Sequence, residues 1–264
     1  MALWLLNHLN TGVLGTLVVG GIVALALAGS VAVRRRYPHL SRGDHNEMVG
    51  VALGMFGAIY GIILAFVVVT LWTQLENTQT VVAAEATDLA VVVRSAEAFP
   101  AEDRARIERA VGDYTHGVVD VQWPLMREGR PSYGATSEQM HRIYTALQAY
   151  EPATGRQRAF YDEAVTRLSD VTEQRRARIT MAETSLPVLL QLLVYGGALV
   201  ILPLTLLFGL RSLKLQLLFV SAVAGLIGFS LLLVLVLDRP FAGELSVSPA
   251  PYKEGALARF WPNG

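Results

Sequence analysis

Four consecutive polar residues, Asp44, His45, Asn46 and Glu47, stand directly before a long, uncharged and glycine-rich segment. Asp44 or Asn46 is typical of a helix N-cap, and Glu47 suits the positive end of a helix dipole. Repeated around a symmetric oligomer, the same oxygen atoms would form a pore mouth that concentrates or filters ions. A divalent metal site at His45 and Glu47 is a third interpretation. The residues alone do not decide between a helix cap and a pore mouth.

A second candidate is Glu85, which lies among apolar residues on one face of a predicted helix. A carboxylate on such a face must be paired or protonated. We expect a buried ion pair with Arg167 or Arg178. The alternative is an ion-binding acid that faces the axis of an oligomer.

A third candidate is a group of polar residues on one helix face. Asp113, His116 and Asp120 share a helix face at a spacing that suits a metal, but a fourth ligand is missing, and we predict solvated surface and no metal site. The chain has no cysteine, no phosphate loop, no nucleophile elbow and no His-Glu-x-x-His motif. We therefore predict no catalytic residues, no cofactor and no enzyme activity. The formal net charge of zero predicts no nucleic-acid partner.

The elements that hold these residues are predicted to be membrane-spanning helices. The 264-residue chain is 53% hydrophobic and 17% charged, with a mean hydropathy of +0.42, and this lies outside the composition of ordinary soluble domains. Four uncharged runs reach the length of about 20 residues that a bilayer requires: 11–33, 48–72, 186–210 and 215–237. Since backbone polar groups in lipid must be satisfied within the segment, each run is predicted to be a helix. The predicted fold class is all-α, with a helical insert between spans two and three.

The second span carries small residues at intervals of four. Gly50 and Gly54, Gly57 and Gly61, and then Ala65 follow this spacing, which lets helix backbones approach closely. Close helix packing is one interpretation. The other is that this helix lines a pore, and the predicted lining residues are Phe56, Gly57, Tyr60, Gly61, Leu64 and Val67. The spans hold no charged residue, which argues against a proton-coupled transporter.

The second span is predicted to continue as a helix beyond the membrane, because neither glycine nor proline occurs from 62 to 99. One face repeats every seventh residue, as in packed helices; it consists of Leu75, Thr78, Val82, Glu85, Leu89, Val92 and Ala96. Further helices are predicted up to the third span, so that the insert forms a helical stalk. The predicted division is 1–73 (two spans and a loop), 74–185 (stalk), 186–237 (two spans) and 238–264 (tail). In the tail, Phe241 is predicted to pack onto the stalk.

The short loops carry the basic residues that set orientation: Arg34, Arg35, Arg36 and Arg42 in the first loop, and Arg211 and Lys214 between the last two spans. Short loops rich in Lys and Arg stay in the cytoplasm. We therefore expect the stalk and the tail to be extracytoplasmic.

Four stretches give the sequence a resemblance to a known family: HNEMVG (45–50), AIYGIILAFVVVTLW (58–72), QWPLMREGRPS (122–132) and LDRPFAGELSVSP (237–249). The chain resembles the bacterial bestrophin-like domain family, which is distantly similar to bestrophins. The resemblance implies four spans, a helical insert between spans two and three, a pore lined by the second helix, and a multi-pass protein of the bacterial inner membrane. The sequence lacks the proline- and phenylalanine-containing neck motif and the acidic calcium clasp of bestrophins. Bestrophins also hold the insert in the cytoplasm, opposite to the orientation that the arginines predict.

These observations predict a homo-oligomeric ion channel, a pentamer or tetramer, with a pore lined by the second span and its extension. Its partners would be further copies of itself, the lipid bilayer and inorganic ions. The alternative is a non-conducting membrane scaffold or sensor whose stalk binds another protein.

Overall fold

The computed structural model describes residues 2–38, 43 and 45–261. These residues form α-helices and short π- and 3-10 turns without any strand, which confirms the all-α prediction. The α-helices are α1 (Ala2–His8), α2 (Thr11–Arg36), α3 (Asn46–Ala96), α4 (Ala101–His116), α5 (Trp123–Arg127), α6 (Ser137–Gln148), α7 (Gly155–Glu183), α8 (Val188–Leu207) and α9 (Leu213–Leu237).

Four helical segments in the described part of the chain are long and apolar enough to cross a membrane. They are α2, α3, the segment Gly155–Leu207 that contains α8, and α9. The prediction of four helices long and apolar enough to span a bilayer is therefore confirmed. The third run is preceded by a break between Glu183 and Val188, where Pro187 lacks the backbone N–H that an unbroken helix would need.

The chain divides into two compact units. The first, here called the transmembrane unit, comprises Met1–Thr73 and Ser185–Asp238. In it, α2 packs tightly along α9, because Gly228 allows close approach: a Cβ at Gly228 would lie 3.2 Å from the Val19 backbone. Ala26, Val220 and Ala224 form a buried core of this helix pair.

The second unit, here called the insert unit, comprises Gln74–Thr184 and Arg239–Gly264. It contains the C-terminal part of α3, helices α4 to α7 and the tail. The predicted helical seam is confirmed, since all seven of its residues are buried: Leu75, Thr78, Val82, Glu85, Leu89, Val92 and Ala96. The 51-residue length of α3 confirms that the second span continues as one helix.

Local sequence explains the ends of the insert helices. Thr154 and Gln157 form a reciprocal capping box that starts α7, and this satisfies two backbone N–H groups that have no helical acceptor. A π-helical turn, Gly117–Gln122, joins α4 to α5. Pro124, two residues after this turn, cannot donate a backbone hydrogen bond, which is compatible with the wider turn before it.

The tail belongs to the insert unit and is held by aromatic side chains. Phe241 is buried and meets the Trp123 ring edge to face at 5.3 Å, which confirms that it packs onto the insert. Tyr252 is also buried, and the indole N–H of Trp261 donates to its backbone carbonyl at 2.8 Å.

Candidate functional site

The predicted pore mouth lies where α3 begins. Asp44 is outside the described residues. Asn46 makes two hydrogen bonds to the backbone of Gly209, donating from Nδ2 at 2.6 Å and accepting at Oδ1 at 2.9 Å. The Nε2 atom of His45 lies 2.7 Å from the Leu207 carbonyl oxygen. His45 and Asn46 therefore hold the turn between α8 and α9, and Glu47 is the exposed member of the described set.

Three of the predicted pore-lining residues face the interior of the transmembrane unit. Tyr60, Leu64 and Val67 are buried, and the Tyr60 hydroxyl donates to the Val194 carbonyl at 2.8 Å. The Tyr60 ring lies against Gly197, where any Cβ would overlap it. Tyr60 therefore packs α3 against α8, and the burial of all three side chains leaves them little accessible surface.

The other three predicted residues remain accessible. Phe56 is 50% exposed, Gly61 is exposed and Gly57 is half-buried. A Cβ placed at Gly54, Gly57 or Gly61 would meet no atom within 4 Å. Close packing inside the protomer therefore does not account for these glycines.

Two of these residues, Gly57 and Gly61, border an apolar groove of about 610 Å³ within the transmembrane unit. Gly57, Gly61 and Leu64 contribute to one wall, and Phe219 and Leu226 of α9 contribute to the other. No charged side chain occurs among the described residues that line it. The lining is therefore suited mainly to apolar groups.

Glu85 is placed in a buried network of the insert unit. Arg178 donates from Nε to Oε2 at 2.7 Å and from Nη2 to Oε1 at 3.1 Å, and the Tyr114 hydroxyl donates to Oε1 at 2.6 Å. The side chains of Glu85 and Arg178 are both fully buried. Of the two arginines that the sequence offers, the structure pairs Glu85 with Arg178. Because its oxygens are enclosed and paired, Glu85 has a structural role here rather than contact with free ions.

Electrostatics support this network. Burial is the largest effect on Arg178 and disfavours its charge, but Glu85, Tyr252 and Tyr114 outweigh burial and raise the pKa of Arg178 well above its ordinary value. Burial, followed by the charge of Glu85, raises the pKa of Tyr114 well above its ordinary value. Arg178 is therefore charged and Tyr114 is a neutral donor.

Arg175 is a buried charge that the sequence reasoning missed. Its guanidinium donates to the Tyr133 carbonyl at 2.6 Å and lies over the Tyr133 ring, 4.0 Å from the centroid. Arg175 and Arg178 are three residues apart on α7 and are both buried. Their helical spacing next to the apolar Val171 and Ile179 is the signal that would have placed both on the inner face.

The group of Asp113, His116 and Asp120 does not come together as a metal site, and no cluster of metal ligands occurs among the described residues. His116 instead holds the tail: its two ring nitrogens lie 3.0 Å from Asp120 Oδ2 and 2.9 Å from the Phe260 carbonyl oxygen. Its ring packs on Trp261 with centroids 4.2 Å apart. The structure gives His116 a structural role.

Fold and site together define a multi-pass helical membrane protein with an inserted helical unit. The family model described as the Bestrophin-like domain matches residues 20–252, and the chain belongs to this family. It is not a family of enzymes. No curated protein and no solved structure matches the chain.

Proposed function

We propose that the protein is a homo-oligomeric ion channel of four or five subunits, in which the transmembrane part of α3 surrounds a central pore. The single observation that carries the proposal is the open glycine side of this helix. A Cβ added at Gly54, Gly57 or Gly61 would meet no atom of the protomer within 4 Å. A glycine lowers the stability of a helix by about 1 kcal/mol relative to alanine. Contact with lipid would not offset that loss.

The accessible members of the predicted lining are those that we assign to the pore: Phe56, Gly57 and Gly61. Small residues would keep the path wide, and the ring of Phe56 would make a narrow apolar point that can gate by dewetting. The buried Tyr60, Leu64 and Val67 would support this wall. Glu47 is the exposed carboxylate available at the mouth.

Passive conduction is favoured over coupled transport. The transmembrane part of α3 has no charged residue between Glu47 and Glu76, so that it offers no carboxylate for a proton relay. The selectivity of such a pore between anions and cations is left undecided by an apolar lining.

The test uses purified protein in liposomes loaded with different salts. Ion release above that of empty vesicles is expected. Release indistinguishable from empty vesicles in every salt would remove the channel proposal and favour a scaffold or sensor that binds a partner through the insert unit.

The absence of cysteine allows a residue-specific version of this experiment. Gly57→Cys and Gly61→Cys should react with a water-soluble thiol reagent, and the reaction should reduce flux. Val67→Cys and Leu71→Cys are matched controls at buried positions of the same helix that do not border the groove, and they should resist the reagent. Equal reaction at all four positions would contradict the assigned pore face.

A further inference from the structure

One end of the transmembrane unit is organised by Arg34, the first of three arginines that end α2. Its Nη1 donates to the Leu210 carbonyl at 2.9 Å and to Gln216 Oε1 at 2.9 Å. Its Nη2 donates to the Arg211 carbonyl at 2.8 Å. One guanidinium therefore ties the end of α2 to the turn between α8 and α9.

This tie gathers further cations at the same end. Arg35 and Arg36 follow Arg34 directly, Arg211 lies on the turn that Arg34 binds, and Lys214 lies in the first turn of α9. All four are exposed. Among the residues that the structure describes, no carboxylate forms an ion pair with any of them. We call these four residues the basic patch.

Several arginines of the insert unit do form ion pairs with carboxylates. Arg104, Arg142, Arg167 and Arg259 each lie within 4 Å of at least one carboxylate oxygen. Exposed arginines without an ion pair to a described residue also occur in the insert unit, for example Arg94 and Arg176. What distinguishes the basic patch is that its four cations lie at one end of the transmembrane unit.

The position of the basic patch indicates its ligand. It lies at the ends of two apolar spanning helices, at the level where lipid headgroups begin. Tyr37, which is 47% exposed, follows the arginines, as aromatic residues do at membrane interfaces. Each juxtamembrane Lys or Arg attracts an anionic surface, and the arginine fork matches phosphate oxygens in pairs.

We propose that the basic patch binds the phosphate of an anionic phospholipid headgroup. Arg34 is a positioning residue, because it holds the end of α2, with Arg35 and Arg36, next to the turn with Arg211 and the start of α9 with Lys214. Free phosphate offers the same oxygen atoms, but a lipid phosphate is held at the membrane surface by its acyl chains. The lipid is therefore the source to which the proposal commits.

The experiment measures the melting temperature of the purified full chain in detergent during titration with phosphatidylglycerol or phosphatidylcholine. Phosphatidylglycerol should raise the melting temperature at lower lipid concentration. The patch variant should require about tenfold more phosphatidylglycerol, or more, for the same shift; it carries Arg35→Gln, Arg36→Gln, Arg211→Gln and Lys214→Gln. The control removes the same charge from exposed cations of the insert unit and should match the wild type; it carries Arg94→Gln, Arg156→Gln, Arg158→Gln and Arg176→Gln.

Three results would overturn the proposal: equal effects of the two lipids, equal weakening in the patch and control variants, or a shift with inorganic phosphate as large as that with phosphatidylglycerol. Should the patch variant fail to fold, the salt dependence of the wild-type protein still tests the proposal. The phosphatidylglycerol effect should shrink between about 0.1 M and 1 M salt, because the screening length falls from about 10 Å to about 3 Å. An effect that is independent of salt would also contradict electrostatic headgroup binding.

Discussion

At the scale of single residues, burial decides the role of Glu85. A carboxylate removed from water is strongly destabilising unless it is paired and hydrogen-bonded. Arg178 and Tyr114 supply this compensation with three hydrogen bonds. The pair therefore makes the helices of the insert unit depend on one another, because Glu85 lies on α3, Tyr114 on α4 and Arg178 on α7.

Glu85→Gln should destabilise the insert unit by about 3–5 kcal/mol, because it leaves the Arg178 charge buried without a partner. The double variant Glu85→Leu with Arg178→Met should lose less than the sum of the two single changes, since no buried charge remains. Thermal unfolding followed by tryptophan fluorescence measures both. Arg259→Met, which breaks exposed pairs with Glu97 and Glu108, is the control and should cost less than about 1 kcal/mol. Equal losses for Glu85→Gln and this control would contradict the assigned role.

Asp88 carries a pH dependence. Burial, followed by repulsion from Asp170, raises its pKa above the ordinary value of 3.8, although Arg167 opposes the shift. An acid with a raised pKa in the folded chain favours the folded state when protonated, and this contribution is lost as pH rises through the folded pKa. The ionised form therefore weakens the insert unit at neutral pH.

Asp88→Asn should raise the free energy of unfolding at pH 7 by less than about 1 kcal/mol. The amide oxygen keeps an acceptor for Arg167, which donates to Asp88 at 3.3 Å. The advantage should disappear as pH falls toward the ordinary pKa, where the wild-type carboxyl is also neutral. Melting temperatures of the two proteins across this range give the answer, and a lower stability of the variant at pH 7 would mean that the ion pair with Arg167 dominates.

At the scale of elements, α3 has two sides with different neighbours in its transmembrane part. Tyr60 and Val67 lie inside the unit, Leu64 is buried at the wall of the groove, and Gly54, Gly57 and Gly61 lie open. The inner side depends on one close approach, that of the Tyr60 ring to the backbone of Gly197 on α8.

Gly197→Ala should lower stability by about 1–3 kcal/mol, because the new methyl group overlaps the Tyr60 ring and forces α3 and α8 apart. Gly196→Ala is a matched control on the same helix, since a Cβ there meets no atom within 4 Å. Melting temperatures in detergent would distinguish the two variants. A Gly197→Ala protein as stable as the control would show that the α3–α8 contact is not tight.

At the scale of the whole molecule, family membership and four candidate spans make this a multi-pass membrane protein. We propose that the insert unit and the tail lie outside the cytoplasm, because the basic residues of the transmembrane unit gather in its short loops. This orientation is opposite to that of bestrophins, and labelling of the cysteine-free chain in intact cells tests it directly.

Glu138→Cys, in the exposed surface of α6, should react with a membrane-impermeant maleimide added to intact cells, because the insert unit would face outward. Ser212→Cys, in the turn between α8 and α9, should react only after the membrane is permeabilised. The reverse pattern would place the insert unit in the cytoplasm.

Much of the fold was predictable from contiguous residues. Hydropathy predicted the four spans, and the absence of glycine and proline predicted the long continuation of α3. The repeat of one helix face every seventh residue predicted its buried seam. These features depend on a residue and its near neighbours along the chain, and so the amino-acid pattern determines them.

Only the tertiary structure decided which predicted site residues are accessible. Tyr60 pairs with Val194, 134 residues away, and Asn46 pairs with Gly209, 163 residues away. The same apolar pattern suits a helix face that meets another helix, a pore or lipid, because all three avoid charge. Which element lies next to a residue therefore determines that Tyr60, Leu64 and Val67 are buried while the glycines are open. It also determines that Glu85 pairs with Arg178 and not with Arg167.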